Sequence, residues 1–204
     1  LLKELGGKGI GSLSDGELRE RIQRYLAQYI EGMSPDLESL SARLKYQFQR
    51  LSALLFTILR HIGREFDQSM FTAAGMEVTV GPAGEVRPAQ LRLEDGTAVE
   101  LVGKIDRVDT YEDDTGRYVR VVDYKSGGKI FRLEDVAFGL NMQMLLYLFA
   151  LCDDTVQHFG PVEPAGILYM PGNLSAVDAS DEKDPEQVRE ELARKLRMSG
   201  VVLD

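Results

Sequence analysis

The spacing of apolar residues changes at Gly75, and this change limits what the chain can fold into. Before Gly75, apolar residues recur every three or four positions, the period of an amphipathic helix. After it, apolar and polar residues alternate, which is the period of a strand with one buried face. The helical positions are Leu37, Leu40, Leu44, Phe48, Leu51, Leu55, Ile58, Ile62 and Phe66. Helices, then strands, then a helix–strand–helix pattern predict an α/β fold in which helices flank a mixed sheet.

The N-terminal region carries helix signals after a glycine-rich start. Residues 1–12 are predicted to form a loop, and "GGKGIGS" lacks the preceding strand and the GK[ST] ending of a phosphate-binding loop. Ser14 and Glu17 have the capping-box spacing, which predicts a helix to about residue 30. Proline as the first helical residue predicts a second helix that starts at Ser34. His61, in that helix, has no partner at metal-ligand spacing, which favours a structural or surface role.

The alternating part predicts an antiparallel meander. Its four strands are expected at residues 76–81, 90–96, 98–112 and 118–126. Asp95-Gly96 and the run 113–116 supply the turns. The remaining predicted elements are a helix, a buried strand and a charged helix, over 133–152, 165–172 and 185–198. The helix and the strand that follows it can form a crossover, which adds a parallel neighbour to the sheet.

Bulk properties exclude several classes of protein. The net charge of −9 over 204 residues argues against a strongly basic coat for nucleic acid. The longest apolar run, residues 144–151, is far shorter than the roughly 20 residues that cross a bilayer, so we expect no membrane partner. The single cysteine, Cys152, excludes an internal disulfide and a CxxC-type zinc site, and fits a cytoplasmic origin. The chain opens on Leu1 without a signal peptide, which we interpret as a piece of a longer protein.

The stretch "VRVVDYKSGG" places two charged residues at the end of an apolar strand. Asp123 and Lys125 continue the face of Val119 and Val121, because side chains two apart share one face of a strand. A charge at the rim of a core is costly unless it is paired or coordinated. Two interpretations remain: a solvent-facing ion pair before a turn, or half of a chemical site.

The preceding strand, in "LVGKIDRVD", carries another acid, Asp106. Gly103 could mark a bulge that re-aims the end of this strand. Regular alternation predicts that Asp106 shares its face with Val102 and Lys104, and that the other face holds Ile105, Arg107 and Asp109. A short hairpin joins the two strands, so Asp106 and Asp123 can lie on neighbouring strands. Two carboxylates and the Tyr124 carbonyl oxygen outline a Mg²⁺ site, in which the lysine would orient or deprotonate water.

The apolar helix "NMQMLLYLFAL" contains one amide, Gln143, with Tyr147 one turn later on the same face. A buried glutamine needs hydrogen-bond partners. The pair could face a cleft and hold a phosphate or a nucleobase. Alternatively, the amide could tie the helix to the backbone of the sheet.

The three elements "GKIDRVD", "VVDYKSGG" and "NMQMLLYLFAL" together resemble the PD-(D/E)XK nucleases of the RecB-like branch. That family has G-x-x-D-R-x-D, then D-Y-K-[ST]-G, then a helix with Q-x-x-x-Y, in the same order. The long N-terminal helices and "FDQSMFTAAGMEVTVG" are most similar to the C-terminal nuclease domain of AddB-type helicase–nuclease subunits. The resemblance covers residues 66–170 well and the N-terminal helices loosely.

The resemblance implies a restriction-endonuclease-like sheet at 71–204, with a helical region at 1–70 packed on it. It implies that Asp106 and Asp123, with the Tyr124 carbonyl, bind Mg²⁺ or Mn²⁺, and that Lys125 is the catalytic lysine. Gln143 and Tyr147 would lie near DNA, and Glu77 would be a supporting acid on the first strand. The expected activity is exonuclease-type hydrolysis of DNA, beside a helicase subunit or domain, in double-strand break repair in the bacterial cytoplasm.

Two departures from the family pattern matter. The family has a metal-binding histidine on an N-terminal helix, and we expect its equivalent to lie before Leu1, because His61 comes too late. Many AddB-type domains also hold an iron–sulfur cluster through one upstream and three C-terminal cysteines. Cys152 matches none of these positions, so no iron–sulfur cluster is predicted within this chain.

Two other hypotheses compete with an active nuclease. One is a catalytically inactive domain that keeps the nuclease fold and serves as a DNA-binding or subunit scaffold. The other is an unrelated α/β enzyme, because Ser126 and Lys129 have the S-x-x-K spacing of serine acylases. That motif should open a helix, whereas here it follows a strand in a glycine turn, so we regard it as chance.

Overall fold

The computed structural model describes residues 1–33, 42–125, 132–140, 142–153, 158–172 and 185–202. The chain divides into two compact units, Leu1–Met70 and Phe71–Asp204. The first unit holds three helices, α1 at Leu2–Gly11, α2 at Asp15–Met33 and α3 at Ala42–Asp67. The assignment of the two units as a helical region and a nuclease core stays a prediction.

The glycine-rich start is a helix, so the prediction of a loop over residues 1–12 was wrong. Two helical segments of α1 join at Gly6, whose φ of 65° suits a residue without a side chain. The other glycines permit close packing. A Cβ at Gly7 would lie 1.8 Å from Phe66 Cδ2, and one at Gly63 would lie 3.0 Å from Gly11 Cα. Close contact between α1 and α3 therefore outweighs the low helix propensity of glycine.

The capping box at the start of α2 is confirmed. The Ser14 hydroxyl accepts from Glu17 N at 3.3 Å, and Glu17 Oε2 accepts from Ser14 N at 2.8 Å. These hydrogen bonds, that from the Ser14 side chain first, lower the pKa of Glu17. The helix runs past residue 30 to Met33. The start of the second predicted helix, Ser34-Pro35, lies outside the described residues.

The second unit is built on a five-stranded mixed sheet in the order β1-β4-β5-β6-β7. The strands are β1 at Thr72–Val80, β2 at Gln90–Arg92, β3 at Ala98–Glu100, β4 at Gly103–Glu112, β5 at Arg117–Lys125, β6 at Glu163–Pro171 and β7 at Ser199–Val202. Only β5 and β6 pair in parallel, while the other neighbours in this sheet are antiparallel. The predicted parallel addition after the crossover helix is confirmed, as is the α/β class.

The prediction of a simple meander was wrong. β1 pairs directly with β4, and β2 and β3 form a separate two-stranded hairpin between them. The predicted strand 98–112 is therefore two strands, interrupted at Leu101 and Val102. The Asp95-Gly96 turn does connect β2 to β3, with φ of 84° at Gly96.

The predicted helix over 133–152 is also two elements, α4 at Leu133–Ala137 and α5 at Gln143–Asp153. Gly139, with φ of 75°, ends α4, since its N–H donates to Val136 O and the Leu140 N–H donates to Asp135 O. This is the Schellman arrangement of a helix C-terminus. The last helix, α6, spans Pro185–Leu196, and the short strand β7 that follows it was not predicted.

Helix α5 packs on β5 and β6 and forms the core of the second unit. Its buried residues meet apolar side chains of the central strands: Met144, Tyr147, Leu148, Ala150 and Leu151 join Val119, Val121 and Ile167 in one cluster. No helix in the described ranges is both long and apolar enough to span a membrane.

Two glycine substitutions in the first unit are expected to have opposite effects. Gly7→Ala would drive a Cβ into the Phe66 ring, so we expect it to lower the free energy of unfolding by about 1–3 kcal/mol. Gly16→Ala, in α2, meets nothing within 4 Å and should raise it by about 0.5–1 kcal/mol through helix propensity. Urea unfolding followed by circular dichroism measures both. Equal effects of the two changes would contradict the packing role of Gly7.

Candidate active site

Asp106 and Asp123 lie at adjacent positions on β4 and β5. The last paired residues of the ladder are Arg107 and Val122, and the two acids are the next residues on their strands. Asp106 Oδ2 accepts a hydrogen bond from the Tyr124 N–H at 2.8 Å. A carboxylate side chain therefore takes up a main-chain donor where the regular ladder ends, which fixes Asp106 against β5.

Lys125 and Asp123 form an ion pair at the rim of the core. Lys125 Nζ lies 2.6 Å from Asp123 Oδ2, with the aspartate side chain 14% and the lysine side chain 32% exposed. The pair is thus not the solvent-facing one of the simpler interpretation. Burial first, and the Asp123 charge second, raise the pKa of Tyr169, the register partner of Asp123 on β6. The Lys125 ammonium also lies 5.5 Å from the centre of the Tyr169 ring.

The sheet changes its alternation beside Asp106. Gly75 and Val78 share a face although they are three residues apart, since a Cβ at Gly75 would lie 2.6 Å from Val78 Cγ2. Between them, Glu77 has φ of 56°, a left-handed conformation that is rare for a residue with a side chain. On β4, Ile105 and Val108 likewise join one core cluster.

Two expectations about β4 were therefore wrong. Ile105 does not share the face of Arg107 and Asp109, because the alternation changes between Ile105 and Val108. Gly103 is not a bulge, because the β1–β4 register runs without a shift from Gly75 to Val80 and has its irregularity between Ala73 and Gly75.

Glu77 is not brought together with the two aspartates. Its carboxylate is 74% exposed and lies 3.3 Å from Lys104 Nζ. In the part of the chain that the structure describes, no three His, Cys, Asp or Glu side chains form a group that could hold a metal. Its role as a supporting acid stays a prediction.

Gln143 and Tyr147 contact each other, as their helical spacing predicts. Gln143 Nε2 donates to the Tyr147 hydroxyl at 2.9 Å, and the tyrosine is only 3% exposed. The same hydroxyl occupies the space beside Gly103, where a Cβ would lie 2.0 Å from it. Gly103 is small because Tyr147 needs its space, and this contact ties α5 to the start of β4.

Comparison with known proteins adds a finding independent of this geometry. Residues 2–199 match the family model of the PD-(D/E)XK nuclease superfamily. The chain belongs to this superfamily. The match covers both units and includes the strand ends that carry Asp106, Asp123 and Lys125.

Curated relatives of the nuclease chain are named as the B-type subunit of an ATP-dependent helicase/deoxyribonuclease. The one from Clostridium acetobutylicum is 35% identical over 192 residues, 94% of this chain and 17% of the relative. The one from Clostridioides difficile is 36% identical over 163 residues, 80% of this chain and 14% of the relative. The one from Geobacillus kaustophilus is 35% identical over 191 residues, 91% and 16% respectively. The nuclease chain thus spans a small part of each relative's length.

PD-(D/E)XK nucleases use divalent metal ions, and the residues here fit such an ion. Hard divalent cations prefer oxygen ligands, and the two aspartates supply carboxylates at neighbouring positions. Asp123 Oδ2 is buried and accepts no hydrogen bond of good geometry from the described residues, although the Lys125 ammonium is close. A buried carboxylate oxygen with this partial satisfaction suits a cation.

Sequence reasoning missed a buried charged network on the other face of β4 and β5. Arg107 and Asp109 are 1% and 0% exposed. Arg107 Nε lies 2.9 Å from Asp109 Oδ1, and Arg120 Nε donates to Asp109 Oδ2 at 2.9 Å. Arg107 Nη1 donates to the Tyr124 hydroxyl at 2.9 Å. The available signal was charge at alternate positions of two paired central strands, where burial demands partners.

The Tyr124 hydroxyl in this network stays protonated. Burial raises the pKa of the Tyr124 phenol, and the neighbouring Arg107 charge opposes that rise without cancelling it. Cys152, by contrast, has no role in the site. It is a partly buried free thiol whose pKa is raised to about 11, mainly by burial.

Gly103→Ala is expected to displace Tyr147 and to lower the free energy of unfolding by about 1–3 kcal/mol, because the added Cβ overlaps the hydroxyl. Tyr147→Phe removes the overlapping oxygen, so the double variant should recover part of that loss. Urea unfolding of the two single variants and the double variant measures the coupling. Gly116→Ala, with nothing within 4 Å, is the control. Simple additivity of the two changes would show that Gly103 and Tyr147 do not depend on each other.

Proposed function

We propose that this chain is a divalent-metal-dependent deoxyribonuclease domain that hydrolyses phosphodiester bonds. The observation that carries the proposal is the pair of neighbouring strand ends in a PD-(D/E)XK chain. There Asp106 is fixed by the Tyr124 N–H, and Asp123 is paired with Lys125.

Asp106, Asp123 and the Tyr124 carbonyl would hold the ion, which we propose to be Mg²⁺ or Mn²⁺. Both are hard cations that match carboxylate and carbonyl oxygens. Bound there, the ion supplies positive charge for the negative charge that develops on a phosphodiester and favours ionisation of water. The Tyr124 N–H holds one oxygen of Asp106, which fixes the direction of the other towards the site.

Lys125 would position the reacting groups. Its ammonium is anchored by Asp123 and borders the Tyr169 ring, and it keeps enough exposure to reach a phosphate oxygen or a water. Gln143 and Tyr147 would lie near the DNA. Their mutual hydrogen bond leaves the second amide hydrogen and the carbonyl oxygen of Gln143 to contact DNA. Glu77 would be a supporting acid.

The partners follow from the relatives, whose names describe subunits of ATP-dependent helicase/deoxyribonucleases. We propose DNA as the substrate and a helicase subunit or domain as the partner. Exonuclease-type degradation during double-strand break repair in the bacterial cytoplasm is the setting that this partnership implies.

Asp123→Asn is expected to abolish cleavage of linear single- and double-stranded DNA in Mg²⁺ and in Mn²⁺. The substitution keeps the size of the side chain but removes the charge that a divalent ion requires. The assay uses the full-length protein, since the relatives extend far beyond the matched region, and gel electrophoresis measures the products. EDTA should abolish the wild-type activity.

The matched control is Asp114→Asn, an exposed aspartate in the hairpin between β4 and β5. It should cleave like the wild type. Cleavage that persists in EDTA or in Asp123→Asn would refute the mechanism. DNA binding without cleavage by the wild type would favour the inactive scaffold instead.

Lys125→Ala is expected to lower kcat by at least about 100-fold, the lower range for loss of a residue that assists proton transfer. Asp123 would still carry a carboxylate, so binding of DNA should change much less than kcat. Single-turnover cleavage and a filter-binding assay separate the two effects. Lys104→Ala, at an exposed lysine of β4, is the control. A weaker KM with an unchanged kcat would assign Lys125 to binding alone.

A further inference from the structure

Tyr124 is held from both faces of the sheet at once. Its main-chain N–H donates to Asp106 Oδ2 at 2.8 Å, beside the candidate metal ligands. Its hydroxyl accepts from Arg107 Nη1 at 2.9 Å, among buried groups on the opposite face. Because neighbouring residues of a strand point to opposite faces, the Tyr124 side chain lies behind the site while Asp123 and Lys125 flank it.

The group that holds the Tyr124 hydroxyl is itself fixed. Arg107 is 1% exposed and reaches both oxygens of Asp109, with Nε 2.9 Å from Oδ1 and Nη2 3.1 Å from Oδ2. Asp109 is completely buried and is also paired with Arg120, its register partner on β5. A planar guanidinium in a two-point contact has little freedom to move, so its remaining nitrogen is a rigid donor.

The position of Tyr124 matters because two proposed ligands depend on its peptide. Its N–H fixes Asp106, and its carbonyl is the proposed main-chain ligand. Tyr124 is also next to the end of β5, since the strand finishes at Lys125. An anchor on the side chain therefore limits motion at a place where the ladder alone gives little restraint.

We propose that Arg107 is a positioning residue for the metal site. It acts through the Tyr124 hydroxyl, which sets the orientation of the peptide that holds Asp106. Asp109 and Arg120 keep Arg107 in place. The inference rests on the proposed function for its consequence, but the link from Arg107 to the Tyr124 peptide stands independently of catalysis.

The test is Tyr124→Phe in the full-length protein, which removes only the hydroxyl and leaves the pairing of Arg107 with Asp109. The matched control is Tyr118→Phe, on the same strand and the same face, where the lost hydroxyl contacts Thr115 near the surface. Mn²⁺ binding without DNA, measured by electron paramagnetic resonance, should be about tenfold weaker in Tyr124→Phe, as for loss of an outer-shell partner. Tyr118→Phe should bind like the wild type.

A second readout needs neither metal nor activity. Amide hydrogen exchange at Tyr124 should be at least several-fold faster in Tyr124→Phe, with little change at Val121 on the same strand. General destabilisation would accelerate both amides alike. Arg107→Lys, which cannot make the two-point contact, should produce the same local change, and adding Tyr124→Phe to it should add little.

The outcomes separate this proposal from the proposed function. Unchanged exchange at Tyr124 in Tyr124→Phe, or acceleration equal to that at Val121, would overturn the positioning role. Faster local exchange with Mn²⁺ affinity equal to the wild type would also overturn it. If the wild type neither binds Mn²⁺ nor cleaves DNA, the proposed function fails, whereas the exchange result still decides whether Arg107 orders the Tyr124 peptide.

Discussion

The burial of β5 on both faces is the constraint on which the rest of the second unit depends. β5 lies between β4 and β6, so its main-chain groups are paired on both sides for most of its length. One face carries Val119 and Val121 against α5 and then ends in Asp123 and Lys125. The other carries Arg120 and Tyr124. Since neither face is open to solvent along the strand, each charge on it needs a partner at a fixed position.

Stability alone does not explain the partners that satisfy this constraint. A buried ion pair contributes little net stability compared with well-packed apolar residues, whereas removal of one partner costs about 3–5 kcal/mol. An apolar version of Arg107 and Asp109 would be simpler to fold. What the charged version provides is geometry, because a guanidinium holds its neighbours at defined angles. The network lies directly behind the strand end that carries the candidate site.

The sequence predicted those features that depend on local patterns. The α/β class, the capping box, the parallel addition of β6 and the contact of Gln143 with Tyr147 follow from periodicity and spacing. The failures depend on contacts between distant residues. The helix at the glycine-rich start exists because Gly7 packs on Phe66, and the small size of Gly103 is set by Tyr147. The separate β2–β3 hairpin and the break at Gly139 depend on which strands pair and on one left-handed residue. The roles of Asp106, Asp123 and Lys125 stay predictions.

The state of Cys152 has a practical consequence for experiments on this chain. With a pKa of about 11, only about one thiol in ten thousand is ionised at pH 7, and the thiolate is the reactive form. Cys152 is the only cysteine of the sequence. Fluorophores or spin labels aimed at cysteines introduced on the surface should therefore react selectively in the natural background. Distances between DNA and chosen surface points become accessible without first replacing the native thiol.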